Sequence, residues 1–288
     1  MRIFASNLFS ARSRALRLRA AFSLLEVLVV VALLSFIILG LMMMFGQVQR
    51  AYKLGTTQVD VMESGRMLAD QFNRELVQAT PSYGSNCVNF YAQIISPQPL
   101  LQTLSGMPDI ERTNLLSALF FLTRQNQRWT GIGYLVADTN QAGMGTLYRY
   151  ELTAPYGTDP AWLFVNFTNA PLQDMNRMVE GVVGFTVRAY DPNGVWLTGL
   201  NRTNLIAEWP VTPGLFGVGE MEYYLFRSNA IPASVEVELD VLEDATVAKA
   251  RAFPTAAARR NFLKDRANSV HVFRTRTSLR NVDPVAYP

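Results

Sequence analysis

Glu26 interrupts a predominantly apolar segment, and its carboxylate is the first candidate for chemistry in this chain. The segment extends from Phe22 to Phe45, which is 24 residues. As a helix it would be roughly 36 Å long, enough to cross a lipid bilayer. A carboxylate in such a segment costs up to roughly 3 kcal/mol near the bilayer centre and less near its edge. We therefore expect Glu26 to have a functional role.

A basic leader precedes the apolar segment. The first 21 residues contain no acidic residue and five arginines, Arg2, Arg12, Arg14, Arg17 and Arg19. Because positively charged flanks stay in the cytoplasm, this pattern predicts a cytoplasmic N-terminus. An ordinary secretory signal peptide would have a shorter apolar core followed by a small-x-small site. A plain single-pass anchor explains the length and the arginines, but it does not explain Glu26.

Other reactive residue types are scarce, and we expect no enzyme, no catalytic residues, no metal and no cofactor. His271 and Cys87 are the only histidine and the only cysteine. A single histidine excludes multi-histidine metal sites and leaves a Ser-His-Asp interpretation dependent on one residue. A single cysteine excludes an internal disulfide, and the residues around Cys87 offer no positive charge to activate a thiol. We interpret Cys87 as a small packed residue.

Two acidic motifs have competing interpretations. The segment 231–243 alternates apolar residues with Glu236, Glu238 and Asp240, which predicts a strand with one buried face. The acidic face is expected to be solvated or to meet a basic neighbouring subunit; paired-carboxylate chemistry is the less common alternative. The motif Asp191-Pro-Asn-Gly194 resembles half of a calcium loop but lacks the closing glutamate. A turn into Trp196 is the favoured interpretation.

A single helix is predicted to position Glu26. Beyond the apolar segment, apolar or small residues recur every three or four positions, at 48, 52, 55, 59, 62, 65, 69, 72, 76 and 79. This spacing marks one face of a helix, so we expect a helix from Phe22 to about Ala79. We interpret the stripe as a core face rather than a coiled-coil seam. Pro81 and Gly84 mark the end of the helix.

The remainder of the chain predicts an antiparallel sheet. An irregular polar stretch after Pro81, which includes Pro97, Pro99 and Pro108, is interpreted as a connecting loop. Strands are predicted at 118–123, 131–137, 146–153, 162–167, 179–190 and 231–243, and a loop at 138–145 joins the second and third of these. A short helix capped by Thr255 and a strand from His271 to Leu279 follow. The fold class is α+β.

The leader and the apolar segment together resemble the type III signal of type IV pilins and type II secretion pseudopilins. The motif is Ala21-Phe22-Ser23-Leu24-Leu25-Glu26, with Ala21 where the family usually has Gly. The resemblance implies cleavage by a prepilin peptidase between Ala21 and Phe22 and methylation of the new Phe22 amine. It also implies that Glu26 neutralises the amino terminus of a neighbouring subunit and so sets the register of the filament. The implied fold is a pilin fold, in which the second half of the long helix packs on antiparallel sheet.

A second resemblance concerns one group within this family. The order of Tyr190, Asp191, Gly194, Trp196, Trp209, Pro232 and Glu236 resembles the J-type minor pseudopilins of type II secretion. The implied function is a structural subunit of a pseudopilus, with other pseudopilins, the inner-membrane assembly platform and membrane lipid as partners. The alternatives are a minor pilin of a type IV pilus or DNA-uptake system, and a membrane-anchored periplasmic binding or hydrolytic domain.

The distribution of charge supports a membrane topology and gives no sign of nucleic-acid binding. Removal of the leader lowers the net charge from +3 to −2, because it removes five arginines and no acidic residue. The predicted organisation is a cleaved leader at 1–21, a transmembrane half of the helix at 22–46, an amphipathic half at 47–80 and a periplasmic β-rich domain at 81–288. The predicted location is therefore the inner membrane, as a single-pass protein.

Overall fold

The computed structural model describes residues 23–95, 99–104, 106–137, 142–155, 157–197 and 223–287. The chain forms two compact units, Met1–Leu54 and Gly55–Pro288. Helix α1, Leu24–Leu76, contributes residues to both units. We describe each unit separately.

The described residues of the first unit, 23–54, are Ser23 and the N-terminal part of α1. Every large apolar side chain from Leu24 to Phe45 is exposed, with fractional exposures between 48% and 86%. Since soluble domains do not leave such a continuous apolar surface uncovered, this surface needs lipid or another apolar partner. Within the described residues, α1 is the one helix long and apolar enough to cross a membrane.

The described residues of the second unit form ten strands and three further α-helices. The strands are β1 Val88–Ile94, β2 Leu100–Leu104, β3 Met107–Asn114, β4 Ser117–Gln125, β5 Arg128–Ala137, β6 Gly145–Pro155, β7 Asn176–Tyr190, β8 Tyr223–Arg227, β9 Ser234–Leu242 and β10 Val270–Ser278. The helices are α2 Ala161–Asn169, α3 Asp244–Arg251 and α4 Ala256–Lys264.

Eight of these strands form one antiparallel sheet in the order β10-β9-β7-β6-β5-β4-β1-β8, and β2 and β3 form a separate hairpin. The sheet is curled: Leu116, next to β4, makes a parallel backbone pair with Phe185 of β7, although β5 and β6 lie between these strands in the sheet order. The fold is therefore α+β, with a long apolar N-terminal helix and a curled antiparallel sheet. The predicted strands at 118–123, 131–137, 146–153, 179–190 and 231–243 are confirmed. Of the predicted loop at 138–145, residues 138–141 lie outside the described residues.

Within the second unit, the end of α1 packs against the concave side of the sheet. Its buried positions are Val61, Gly65, Leu68, Phe72 and Leu76, which recur every three or four residues and form one face. The predicted core stripe is confirmed at Gly65, Phe72, Leu76 and Ala79. Leu68 is buried in place of the half-buried Ala69, and the prediction is wrong at Val59 and Met62, which are exposed.

Helix geometry explains the error in the stripe. From Val48 to Ala79 the stripe advances 31 residues in nine steps, which falls short of nine full helical turns. At 100° per residue the stripe drifts by roughly 140° around the helix, so its two ends cannot face the same surface. Val48 and Tyr52, which belong to the first unit, are exposed.

The polar stretch after Pro81 is not a loop, and that prediction is wrong. It contains β1, β2 and β3. The residues of β1 are almost all buried because both faces of the strand are covered. Asn89 and Gln93 gave the segment its polar appearance, yet both are buried. The amide of Asn89 is fully used: its oxygen accepts from Ser82 and its nitrogen donates to the carbonyls of Ser228 and Ala230.

The strand predicted at 162–167 is also wrong, since these residues form helix α2. Pro160 immediately precedes the helix, and the side chain of Asp159 accepts a hydrogen bond from the Ala161 amide. These start signals and the burial of Leu163, Phe164 and Phe167 on one helical face outweigh the strand propensity of the aromatic residues. The ring of Phe167 occupies the space above Gly133, where a Cβ would lie 2.4 Å from it.

The C-terminal segment follows the sequence prediction. Thr255 caps α4 by accepting a hydrogen bond from the Ala258 amide at 3.2 Å. The following strand, β10, pairs with β9 along its whole length and forms one edge of the sheet. Helices α3 and α4 and the β2–β3 hairpin share an apolar cluster with the face of the sheet opposite to α1, and the cluster contains Leu100, Val183, Leu242, Val247 and Leu263.

Candidate assembly site on the N-terminal helix

Glu26 lies in the first turn of α1, where Ser23 caps the helix. The Glu26 amide donates to the Ser23 hydroxyl at 3.2 Å and to the Ser23 carbonyl at 3.0 Å. Serine at the cap with glutamate three residues later is the sequence of a capping box. Ala21 and Phe22, the predicted cleavage and methylation residues, lie outside the described residues.

The carboxylate of Glu26 is exposed. None of the ion pairs among the described residues includes Glu26. The surrounding surface is apolar, from Leu24 and Leu25 to Phe45. The charge is therefore available to a cation from outside the described chain.

The apolar part of α1 is otherwise suited to a non-aqueous environment. Ser35 is the only hydroxyl residue between Val27 and Phe45, and its Oγ donates to the Val31 carbonyl at 2.8 Å. A hydroxyl that is satisfied by its own helix can enter lipid without an unmet hydrogen bond. Glu26 is thus the one side chain of this segment that still requires a partner.

A second glutamate fixes α1 to the sheet. Glu75 Oε2 accepts from the Tyr134 hydroxyl at 2.6 Å, and Oε1 accepts from Arg149 Nε at 3.0 Å and from Gln71 at 3.1 Å. Burial and the neighbouring Glu75 carboxylate raise the pKa of Tyr134, which keeps the hydroxyl protonated as a donor. Phe72, one turn earlier, contacts the rings of Tyr134 and Phe185 at centroid distances of 4.6 and 5.8 Å.

The predicted stripe does not include Glu75, so this contact was not predicted from the sequence. The spacing of Glu75 could have indicated the contact. Glu75 lies three residues after Phe72 and next to Leu76, and both of these residues are buried. A helix places positions three residues apart on the same face. A charged residue at the edge of a buried stripe therefore indicates an ion pair at the helix–sheet boundary.

The acidic face of β9 is not solvated, and that prediction is wrong. Arginines from three other strands cover it: Arg188 of β7 lies 2.6 Å from Glu236, Arg274 of β10 donates to Glu238, and Arg112 of β3 lies 2.6 Å from Asp240. The carboxylates are only 5% to 14% exposed. Because the chain neutralises these charges itself, they do not present an open acidic surface to a basic neighbour.

The motif at 191–194 forms the predicted turn. Asp191 Oδ1 accepts from the Val195 amide at 2.7 Å, and Gly194 has a positive φ of 80°. The chain then reverses, so that Trp196 pairs with Tyr190 and donates to the Tyr224 hydroxyl at 2.8 Å. In the described ranges no three of His, Cys, Asp and Glu are grouped as metal ligands would be. Trp209 lies outside the described residues.

The other candidate reactive residues lie in unreactive surroundings. His271 contacts Glu243 at 3.4 Å across the β9–β10 pair. Burial raises the pKa of the Cys87 thiol to about 11, so the thiol is protonated at neutral pH. A protonated and buried thiol is a poor nucleophile.

The comparisons with known proteins leave the family undetermined. No protein-family model matches the chain, and no curated protein matches it. Functional inference therefore depends on the motif at the start of α1 and on the fold.

Proposed function

We propose that this chain is a pilin-like minor subunit of a type II secretion pseudopilus, anchored in the inner membrane. A prepilin peptidase would cut between Ala21 and Phe22 and methylate the new amine. The domain after about residue 47 would lie in the periplasm. The assembly partners would be other pseudopilins, the inner-membrane assembly platform and membrane lipid.

The observation that carries the proposal is the unpaired carboxylate of Glu26 in the first turn of an uncovered apolar helix. The Phe22 amine of a cleaved neighbour is a cation of suitable size, and its pairing with Glu26 would neutralise both charges at the membrane edge. In a low dielectric such a pair offsets the cost of burying either charge alone. The same pairing fixes the axial position of one helix against the next.

The packing of the second half of α1 on the sheet also supports the proposal. A filament subunit must transmit force from its membrane helix to its exposed domain, so the two must not separate. Phe72 and Leu76 are almost completely buried against the sheet, and Glu75 adds hydrogen bonds to two strands. The long helix and antiparallel sheet are compatible with a pilin fold.

Mass spectrometry of the N-terminus tests the processing step. We expect the protein isolated from cells that contain a prepilin peptidase to begin at Phe22, with one methyl group on its amine. Ala21→Gly should be cut at least as completely, whereas Ala21→Leu should remain uncut because its larger side chain obstructs a small-residue site. An intact Met1 in the unaltered chain, or a cut after Phe45, would contradict the proposal.

A further inference from the structure

The β2–β3 hairpin, described at 100–104 and 106–114, lies on the face of the sheet opposite to α1 and covers part of an apolar cluster. Leu100 packs with Val183 and Leu242 of the sheet. Polar contacts from both strands hold the hairpin in place, and they come from two residues that pair directly with each other. Gln102 donates to the Leu263 carbonyl of α4 at 2.9 Å, and Arg112 contacts β9. Opening of the hairpin would uncover the cluster.

Asp240 is the β9 residue on which the hairpin closes. Its side chain is 5% exposed, and its Oδ2 lies 2.6 Å from Arg112 Nη2. Gly184 of β7 makes room for it, since a Cβ at Gly184 would lie 2.0 Å from that oxygen. The charged groups that face Asp240 are Arg112 from β3, Glu238 beside it on β9 and Arg274 from β10.

The hydrogen bonding of this junction lacks a donor. Asp240 Oδ1 is buried and has no hydrogen-bond partner. A buried carboxylate oxygen without a donor is costly when the group is ionised, and the neutral acid costs less to bury.

We propose that the hairpin is a proton-dependent latch, in which Asp240 takes up a proton when the hairpin closes and releases it when the hairpin opens. The closed state removes Asp240 from water and supplies one arginine, which also contacts Glu238 at 3.2 Å. The open state returns Asp240 to water. Closure therefore favours the neutral acid more than opening does, and the latch holds more tightly at lower pH.

The direction of the pKa agrees with this geometry. Burial raises the pKa of Asp240 to about 6, and the nearby Arg112 only partly opposes that rise. A group whose pKa is higher in the closed state stabilises closure below its open-state pKa, and this contribution is lost as the pH rises through the closed-state pKa. The window of change is therefore about pH 4 to 6, with the latch weakest above it.

Hydrogen exchange of the full-length protein in detergent micelles tests the latch. After correction for the intrinsic exchange rate, protection of the amides of 100–104 and 110–114 should increase about tenfold from pH 7.5 to pH 5.0. Amides of β4 and β5, which do not contact Asp240, serve as the internal reference and should change far less.

Two variants separate the proton from the ion pair. Asp240→Asn, which mimics the neutral acid, should protect the hairpin at pH 7.5 at least as well as the unaltered chain is protected at pH 5.0, with no further dependence on pH. Arg112→Gln should enlarge the pH dependence, because it removes the cation that favours the ionised form. Hairpin protection that increases with pH, or that Asp240→Asn lowers at pH 7.5, would overturn the proposal. If Asp240→Asn fails to fold, the proposal is tested by the pH dependence of hairpin protection in the unaltered chain and in Arg112→Gln.

Discussion

Two glutamates on the same helix, Glu26 and Glu75, differ in what surrounds them. Glu75 is half-buried, and Tyr134, Arg149 and Gln71 all donate to its carboxylate. Glu26 is exposed on an apolar surface and belongs to none of the ion pairs of the described chain. The first carboxylate is satisfied within the protein, whereas the second has a requirement that the described chain does not meet.

This difference suggests that Glu75 contributes to the stability of the folded domain and Glu26 to the association of subunits. Groups whose partners lie within the chain stabilise the folded domain, so their loss should appear in unfolding measurements of a single molecule. A group whose partner lies on another molecule should leave such measurements unchanged and appear only when subunits associate. We therefore expect substitutions in the second half of α1 to change stability and substitution of Glu26 to change only assembly.

The largest loss of stability is expected for Phe72→Ala. Phe72 is 1% exposed and contacts two aromatic rings, so the substitution should cost about 3–5 kcal/mol of unfolding free energy. Urea unfolding in micelles, followed by tryptophan fluorescence, measures it, since all four tryptophans lie after Gly55. Met67→Ala is the matched control, because Met67 is 64% exposed on the same helix, and it should change stability little. Equal effects of the two substitutions would refute the packing of α1 on the sheet.

A smaller loss is expected for Glu75→Gln. The substitution keeps the volume but removes the charge that Tyr134 and Arg149 contact, and it should cost about 2 kcal/mol. Arg149 retains its ion pair with Glu151 at 2.6 Å, which limits the loss. Glu63→Gln, at an exposed position, should be neutral. Combining Glu75→Gln with Tyr134→Phe should cost less than the sum of the two single substitutions. Strict additivity would mean that the two side chains do not interact.

The smallest effect on stability distinguishes two glycines of α1. A Cβ at Gly65 would lie 2.1 Å from the Phe273 ring, whereas a Cβ at Gly55 would meet no atom within 4 Å. Gly65→Ala should therefore destabilise by about 1–2 kcal/mol through overpacking. Gly55→Ala should stabilise by up to about 1 kcal/mol, because alanine favours a helix. Differential scanning calorimetry would show opposite shifts in Tm. A stabilised Gly65→Ala variant would show that β10 does not pack on α1 as described.

The sequence was most informative where one periodicity dominated. The apolar segment and the alternation of β9 predicted α1 and a one-face-buried strand, and Thr255 predicted the start of α4. Prediction failed where contacts between residues far apart in the sequence determine the local structure. Strand β1 looks like a polar loop because Asn89 and Gln93 are buried through partners far away in the sequence. Helix α2 looks like a strand because aromatic residues favour both environments, and only Pro160 and Asp159 mark its start.

The residues of the candidate site also differ in how far the sequence predicts their surroundings. The position of Glu26 at the start of an apolar helix follows from the sequence, because a local pattern determines it. The coverage of Glu238 and Asp240 by Arg112 does not follow, since the hairpin that carries Arg112 lies 126 residues from Glu238. No local pattern shows which arginine will meet which carboxylate.

The most direct test of the account is Glu26→Gln, assayed by crosslinking in cells. A photo-crosslinker at Phe36, which is 75% exposed, would report contacts with partner subunits. Glutamine retains the capping-box residue type and the volume, so only the charge is removed. We predict normal insertion and cleavage after Ala21, with crosslinked partner subunits reduced at least tenfold, the equivalent of about 1.4 kcal/mol. Glu63→Gln, which removes a charge elsewhere on α1, should crosslink normally. Undiminished crosslinking of the Glu26→Gln variant would contradict the assignment of Glu26 to assembly.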